Sequence, residues 1–311
     1  MKESPSFSVV IPVYNKQDHL ADTLASVLAQ TYLPKEIVVV NDGSTDKSEE
    51  IILGFQSPLI RYIKQENQGA AATRNNGIAL AQEDYIALLD ADDYWEENFL
   101  EEMVKAIREF PDEKVFVSAY KIETPHKKST PPNYAFTLPE KNVVLDYFKA
   151  STKSSIIISS AVVIHKEVFE TVGNFDETIL SGQDTDLWIR IGLKYKVVFV
   201  PKFLSIYIYV PTSLSYSKVN FEQKLNVEKY KKQESVNLNL KKFMDLNRYA
   251  LAVEALGRGD RETAKKMKAD LDRKNLNQKQ LFLLKLSPFG IRMMKRIKLF
   301  LSKFGMETTS F

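Results

Sequence analysis

The chain has 311 residues, 44% hydrophobic and 27% charged, a composition typical of folded globular proteins that excludes wholesale disorder. It contains no Cys, which excludes disulfide scaffolds, thiolate nucleophiles and Cys-ligated metal sites, and only three His, so any metal site would depend on carboxylates and favour Mg²⁺ or Mn²⁺. The net charge of +3 conceals 22 Lys and Arg against 10 Asp and Glu in residues 216–311, which indicates an anionic partner.

Strand and helix patterns alternate through the first part of the chain. Strands are predicted at residues 7–13, 36–40, 59–64 and 85–89, and helices at residues 18–30, 48–55 and 69–81. The second strand, residues 36–40, has the apolar run that is typical of buried parallel strands. The alternation predicts an α/β fold in which helices sandwich a mainly parallel sheet, with ligands bound beyond the carboxyl ends of the strands.

The pattern is mixed from residue 96 to about residue 201 and changes to long helices from residue 220. We therefore predict two domains, 1–218 and 219–311. No stretch has the ~20 apolar residues that a membrane-spanning helix needs. The apolar run at the N-terminus is interrupted by Pro12 and lacks the features of a signal peptide. These observations predict a cytoplasmic protein or one on the cytoplasmic face of a membrane.

Polar residues follow three of the predicted strands, and others lie near the start of the third predicted helix. Asp90 and Asp92 end the fourth strand, where two carboxylates can reach one hard cation, although an acidic turn before a helix would look the same. Asp42 lies in a small turn that either approaches a ligand or only connects strand and helix. Arg74 lies in a helix rich in small residues and either faces a phosphate or is a surface residue.

Asp184 lies at the start of a helix predicted from residue 184 to residue 193. A carboxylate there is either a helix cap or a general base, and Asp186 is the next candidate for the base. Trp188, one turn further on, either packs in the core or stacks on a sugar.

Five segments together resemble the motifs of family 2 glycosyltransferases, in that family's order and spacing. They are residues 9–15 (VVIPVYN), 40–46 (VNDGSTD), 67–77 (NQGAAATRNNG), 88–93 (LLDADD) and 182–188 (GQDTDLW). The resemblance covers about residues 5–215. It implies a GT-A fold and an inverting transfer from a nucleotide-diphosphate sugar, with a UDP-sugar as the expected donor and Mn²⁺ or Mg²⁺ as cofactor. The acceptor would be a hydroxyl of a glycan or lipid-linked molecule in cell-surface polysaccharide synthesis.

The resemblance also assigns roles to individual residues. The nucleotide would be bound by Pro12, Tyr14, Asn15, Asp42, Arg74, Asp90 and Ala91, with Asp42 at the base. Asp92, together with Asp90, would bind the metal. Asp184 matches the family's catalytic base.

Three positions depart from the family. Gln183 stands where a Glu usually precedes the base, and Ile208 and Val210 replace an Arg and a His. These differences are what supports the alternative, a non-catalytic relative that binds nucleotide sugars or serves as a scaffold. Retention of Asp90, Asp92 and Asp184 favours the enzyme. A Rossmann oxidoreductase is disfavoured because no Gly-x-Gly-x-x-Gly follows the first strand.

Residues 273–306 contain nine Lys and Arg and no acidic residue. Near residues 288–304 an amphipathic helix is predicted, with Met293, Ile297 and Phe300 among its apolar residues. Basic helices of this kind bind anionic membrane surfaces, which predicts a peripheral protein on the inner face of the plasma membrane. The alternative is a helix packed on the body of the protein or on the second copy of a homodimer. No recognition motif for nucleic acid accompanies the charge.

Overall fold

The computed structural model describes residues 4–124, 127–209 and 220–303. The chain divides into two compact units, Met1–Leu225 and Asn226–Phe311. The domain boundary predicted near residue 218 lies outside the described residues. Each unit is described by itself below.

The first unit begins with the predicted alternation of strands and helices. Its first elements are β1 (Phe7–Val13), α1 (Leu20–Leu28), β2 (Glu36–Asp42), α2 (Ser48–Gly54), β3 (Ile60–Gln65), α3 (Ala70–Leu80) and β4 (Tyr85–Leu88). β1 pairs in parallel with both β2 and β4, and β2 pairs in parallel with β3. The apolar side chains of β1 and β2 are buried on both faces of the sheet, as expected for parallel strands covered by helices.

The second half of this unit extends the same sheet with strands of both directions. Its elements are β5 (Tyr94–Trp95), α4 (Phe99–Glu109), β6 (Val115–Thr124), β7 (Lys127–Thr130), β8 (Val143–Leu145), α5 (Tyr147–Ala150), β9 (Val162–His165), α6 (Glu167–Val172), α7 (Gln183–Gly192) and β10 (Val197–Ile208). The main strand order is β3-β2-β1-β4-β9-β6-β10-β5. β9 is antiparallel to both of its neighbours, β4 and β6. The sequence pattern did not predict this insertion, because it lies where the regular alternation ends.

The second unit is helical among its described residues. Its helices are α8 (Lys231–Glu234), α9 (Leu238–Arg258), α10 (Arg261–Ala269), α11 (Gln278–Leu283) and α12 (Pro288–Lys303). α9 is the central helix, since α8, α10 and α12 all pack on it. Arg248 of α9 is fully buried and donates two hydrogen bonds to the Glu234 carboxylate (2.6 and 2.7 Å). The predicted α/β fold with helices around a central sheet and a helical C-terminal region is confirmed. The sheet is mixed: among the described strands, four pairings are parallel and five are antiparallel.

Helix α3 lies unusually close to the sheet at Gly77. A Cβ at this position would be 2.4 Å from Val10 Cγ1 and 3.4 Å from Val40 Cγ2. We therefore expect Gly77→Ala to lower the free energy of unfolding by about 1–3 kcal/mol, the usual cost of overpacking a core. This loss would exceed the gain of ~1 kcal/mol that Ala brings to a helix.

Urea denaturation measures this effect, and Gly54→Ala is the matched control. A Cβ at Gly54, the last residue of α2, would have nothing within 4 Å. The control is expected to be at least as stable as the unmodified protein. Equal stability of the Gly77 and Gly54 variants would contradict the close packing of α3.

Candidate functional site

A cleft of about 880 Å³ opens at the carboxyl ends of the parallel strands. It is lined by every site residue that the sequence predicted, namely Pro12, Tyr14, Asn15, Asp42, Arg74, Asp90, Ala91, Asp92 and Asp184. The carboxyl ends of β1, β2 and β4 and the loops that follow β1 and β4 contribute most of these residues, as expected for parallel strands that end at one edge of a sheet. The structure thus brings together residues that are up to 172 positions apart.

The loops after β1 and β2 are tied to each other at the edge of the cleft. Asn15 has a φ of +51°, in the left-handed region. Its side-chain oxygen accepts a hydrogen bond from Thr45 N–H (2.8 Å), and its own N–H donates to Ser44 Oγ (3.0 Å). Asn15 therefore holds the two loops together, while the neighbouring Tyr14 is 48% exposed.

Asp42, the last residue of β2, organises the next loop. Its Oδ1 accepts hydrogen bonds from the Gln65 amide and from Gln68 N–H, both at 2.8 Å, and its Oδ2 accepts from Gly69 N–H (2.9 Å). A carboxylate offers about four acceptor positions, so these three bonds leave capacity for one more donor. Asp42 therefore serves as a buried anchor for the start of α3 and retains an acceptor toward the cleft.

Arg74 is the buried cation of the site. Its Nη2 donates to Asp90 Oδ1 (2.5 Å), and its guanidinium lies 5.5 Å from the centre of the Phe175 ring. Burial by itself lowers the pKa of Arg74, but the charges of Asp90, Asp184 and Asp92 outweigh burial and raise it. Arg74 is therefore firmly charged and balances part of the acidic character of the cleft.

Asp92 forms an ion pair with Lys16, which follows Asn15 in the chain. The sequence predictions did not include Lys16, because only the fold brings it next to Asp92. Among the described residues, no group of three or more His, Asp or Glu side chains is arranged to hold a metal on its own. Mg²⁺ and Mn²⁺ are commonly held by one or two carboxylates together with substrate phosphates, so Asp92 and Asp90 suit such an ion when a diphosphate is bound.

Asp93 joins three distant parts of the first unit, and the sequence predictions missed this role. It is almost completely buried, accepts a hydrogen bond from Ser160 Oγ (2.5 Å) and accepts another from Ile208 N–H (2.8 Å). Ser160 Oγ also accepts a hydrogen bond from Asp90 N–H (3.1 Å). Burial, followed by the charges of Asp90 and Asp92, raises the pKa of the Asp93 carboxyl well above its ordinary value, against the opposing effect of the two hydrogen bonds.

Of the positions that depart from the family, Ile208 lies beside the cleft residue Asp93. Ile208, the last residue of β10, contributes its backbone N–H to Asp93 rather than a charged side chain. Val210 lies outside the described residues. Aromatic and aliphatic side chains also line the cleft, namely Tyr120, Ile122, Ile158, Leu180 and Tyr207.

Helix α7 presents Asp184 to the cleft in its first turn. Asp184 Oδ1 accepts a hydrogen bond from Thr185 N–H (2.7 Å). Asp186, the second candidate for the base, is fully buried and pairs with Arg190 Nε (2.8 Å), so it stabilises the helix from the interior instead of lining the cleft. Trp188 is 1% exposed and packs edge-on against Phe175, which assigns it to the core and not to sugar stacking.

Comparisons with known proteins agree with this architecture. The family model described as "Glycosyl transferase family 2" matches residues 8–173. An uncharacterized glycosyltransferase of Rickettsia typhi is 31% identical over 191 residues, which are 60% of this chain and 58% of that protein. The glycosyltransferase GlyG of Streptococcus pneumoniae is 28% identical over 234 residues, 70% of this chain and 75% of that protein. The chain spans less than two thirds of the length of the Rickettsia relatives it matches.

One of the similar solved structures is S. aureus TarS 1–349 in complex with UDP-GlcNAc. The TM-score is 0.58 at 17% sequence identity, and the match covers 90% of this chain and 78% of the TarS chain. The predicted GT-A fold is confirmed by this similarity.

Proposed function

Because the chain belongs to glycosyl transferase family 2, we propose that it transfers a sugar from a nucleotide-diphosphate donor to an acceptor hydroxyl with inversion at the anomeric carbon. The acceptor in this proposal is a glycan or a lipid-linked molecule in cell-surface polysaccharide synthesis. The observation that carries the proposal is the meeting of Arg74, Asp90, Asp92 and Asp184 in one cleft at the carboxyl ends of the strands.

The nucleotide would bind between the loops that follow β1, β2 and β4. Pro12, Tyr14 and Asn15 would lie along it, and the remaining acceptor position of Asp42 would meet a donor on the base. UDP is the expected nucleotide, since TarS structures of the same fold contain UDP and UDP-GlcNAc. Asp90 and Ala91 would complete this part of the site, with Arg74 held against Asp90.

The diphosphate would lie next to Asp92. Asp92 and Asp90 would hold Mn²⁺ or Mg²⁺, which would neutralise the charge that develops on the departing diphosphate. The firmly charged Arg74 would add a fixed positive charge on the same side of the cleft.

Asp184 would act as the general base. Its carboxylate would take the proton of the acceptor hydroxyl while the acceptor oxygen forms a bond to the anomeric carbon. The bond between that carbon and the diphosphate oxygen breaks at the same time, and its electron pair leaves with the diphosphate. Attack from the side opposite the leaving group inverts the anomeric carbon. The aromatic and aliphatic residues that line the cleft, Tyr120 and Tyr207 among them, would help to exclude water from the reaction.

A panel of nucleotide sugars tests the proposal. The protein is incubated with each donor and Mn²⁺, and both the thermal shift and the release of nucleoside diphosphate are measured. Stabilisation and turnover by at least one UDP-sugar are expected. Stabilisation without turnover, with water or with any glycan acceptor, would instead favour the non-catalytic relative, for which Gln183 and Ile208 are the support. If the protein neither binds nor turns over any of the donors, the result would contradict both the proposed enzyme and the non-catalytic alternative.

We also propose that the protein acts at the inner face of the plasma membrane through α12. No helix among the described residues has the length and apolar character needed to cross a bilayer. α12 packs on α9, with Ile291 buried, while Phe289, Met293 and Ile297 are 70%, 50% and 41% exposed. Exposed basic residues, Arg292 and Arg296, flank this apolar stripe. An apolar stripe beside positive charge suits an anionic lipid surface.

We expect the full-length protein to float with vesicles that contain anionic phosphatidylglycerol. Each basic residue near the surface contributes about 1 kcal/mol that salt screens, whereas burial of the apolar stripe persists in salt. Binding should therefore weaken without vanishing as salt rises. The double variant Phe289→Ser/Met293→Ser should lose the salt-resistant part.

The matched control replaces two other exposed apolar residues of the second unit, Val236→Ser and Leu238→Ser, which are 86% and 85% exposed. This control should bind vesicles as the unmodified protein does. A protein that ignores anionic vesicles but dimerises through the same stripe would show a homodimer contact instead.

A further inference from the structure

Residues 180–181 and 223–225 are distant in the sequence but form a short backbone pairing beside the cleft. We call this pairing the clasp. The Leu180 N–H donates to Gln223 O (2.8 Å), and the Leu225 N–H donates to Ser181 O (3.0 Å). Ser181 N–H also lies 3.3 Å from Gln223 O, and the pairing forms an isolated parallel bridge. Both segments belong to the first unit.

Leu225 also packs on the turn that follows Ser181. Gly182 has a φ of +86°, and a Cβ at this position would lie 3.0 Å from Leu225 Cβ. A side chain at residue 182 would therefore meet both a strained backbone and a close contact. Leu225 is only 8% exposed, so its side chain fills the space outside this turn. The turn leads directly into α7, whose second residue is Asp184.

The same turn is held on its inner side by Gln183. The orientation of its side-chain amide that satisfies both of its neighbours has the nitrogen donating to Ile179 O (2.8 Å) and the oxygen accepting from Arg74 Nη1 (3.2 Å). Arg74 is itself paired with Asp90. The start of α7 is therefore fixed between the nucleotide side of the cleft and the clasp.

We propose that the clasp positions Asp184 for proton transfer, with Leu225 as a positioning residue. This inference rests on the proposed function, in which Asp184 is the general base. A base acts only within hydrogen-bonding distance of the acceptor hydroxyl. Most of the residues proposed to bind the nucleotide lie in β1, in β2 and in the loops after β1 and β4, and Arg74, which contacts Gln183, keeps its pair with Asp90. Release of the clasp would therefore move the base and change nucleotide binding much less.

The variant Leu225→Pro tests this role in the full-length chain. Proline removes the N–H that donates to Ser181 O, and Lys224, with φ −95° and ψ 170°, already has the extended conformation that proline requires before it. The kcat for sugar transfer is expected to fall by about 10²-fold, the effect of a misplacement of ~1 Å, while the Kd for UDP and the melting temperature stay near those of the unmodified protein. Leu225→Ala keeps the N–H and removes only the packing of the side chain, so it should lose less of kcat than Leu225→Pro.

The same substitution in an Asp184→Asn background separates the inference from the proposed function. If the clasp acts through Asp184, Leu225→Pro should cause no further loss in that background. An equal loss of kcat in both backgrounds, or full kcat in folded Leu225→Pro, would overturn the inference. Full turnover of Asp184→Asn alone would overturn the proposed base instead.

Should Leu225→Pro prove too unstable to assay, Gly182→Ala tests the same contact from the other side. Its Cβ would push against Leu225, and the same loss of kcat without loss of UDP affinity is expected. A folded Gly182→Ala protein with unchanged kcat would contradict a positioning role for the clasp.

Discussion

Replacement of Asp184 by Asn is expected to lower kcat for sugar transfer by about 10²–10⁴-fold, the usual contribution of a general base. Asn has nearly the same shape but cannot accept the proton of the acceptor hydroxyl. The Kd for the donor should change little, because Asp184 lies on α7, whereas the residues proposed to bind the nucleotide belong to β1, β2, α3 and the loops after β1 and β4. Initial rates with the best donor of the panel, together with calorimetric titration of UDP, measure the two quantities.

Asp186→Asn is the matched control, two residues further along the same helix. Asp186 is buried and paired with Arg190, so its loss should lower the melting temperature by weakening this pair. The chemistry should persist in the fraction that remains folded. If Asp184→Asn retains normal turnover, the base must be another residue, and the proposed mechanism fails.

The second large effect is expected for Asp92→Asn, which should abolish the dependence of UDP binding on Mn²⁺. The neutral amide is a poor ligand for a hard cation, and Asp92 is the carboxylate proposed to bridge protein and metal. Calorimetric titration of UDP gives one Kd in the presence of Mn²⁺ and another in the presence of a chelator. The Kd with chelator divided by the Kd with Mn²⁺ should exceed one for the unmodified protein and approach one for the variant. The fold should persist, because Asp92 lies at the rim of the cleft and not in the core.

Lys16 makes the ratio of affinities a better readout than either Kd alone. In Asp92→Asn the Lys16 ammonium loses its partner and can attract the diphosphate directly, so metal-free binding of UDP can become tighter. Asp22→Asn, at an exposed position of α1, is the control for the loss of one negative charge. A ratio in Asp92→Asn equal to that of the unmodified protein would remove Asp92 from the metal site.

The sequence was sufficient to place the residues that follow the first four strands. The runs that form β2 and β4 are rich in apolar residues, and parallel strands connected by helices must end at the same edge, so Asp42, Asp90 and Asp92 had to lie near one another. Arg74 followed because its helix begins at that edge. These relationships depend on local periodicity and on one topological rule, both of which can be read from a single chain.

The residues that were missed depend on tertiary contacts between distant segments. Ser160 lies before β9, a short antiparallel strand that the alternation of strands and helices does not predict. Lys16 acquires its partner only when the loops after β1 and β4 meet. In α12, the sequence placed the apolar residues on one face, whereas the helix buries Ile291 against its own unit and exposes Phe289 and Met293. Periodicity shows that a helix is amphipathic but does not show which apolar residues its neighbours cover.

The hydrogen bonds of Asp93 also have a consequence for the order of folding. They join it to Ser160, 67 residues further along the chain, and to Ile208, 115 residues further along. Closing loops of this length costs chain entropy before any contact forms, and contacts of such separation form late. Strands β1 to β4, in contrast, are complete by Leu88. During synthesis, a growing chain can therefore assemble the part of the cleft formed by β1 to β4 well before β9 and β10 have left the ribosome to complete the rest.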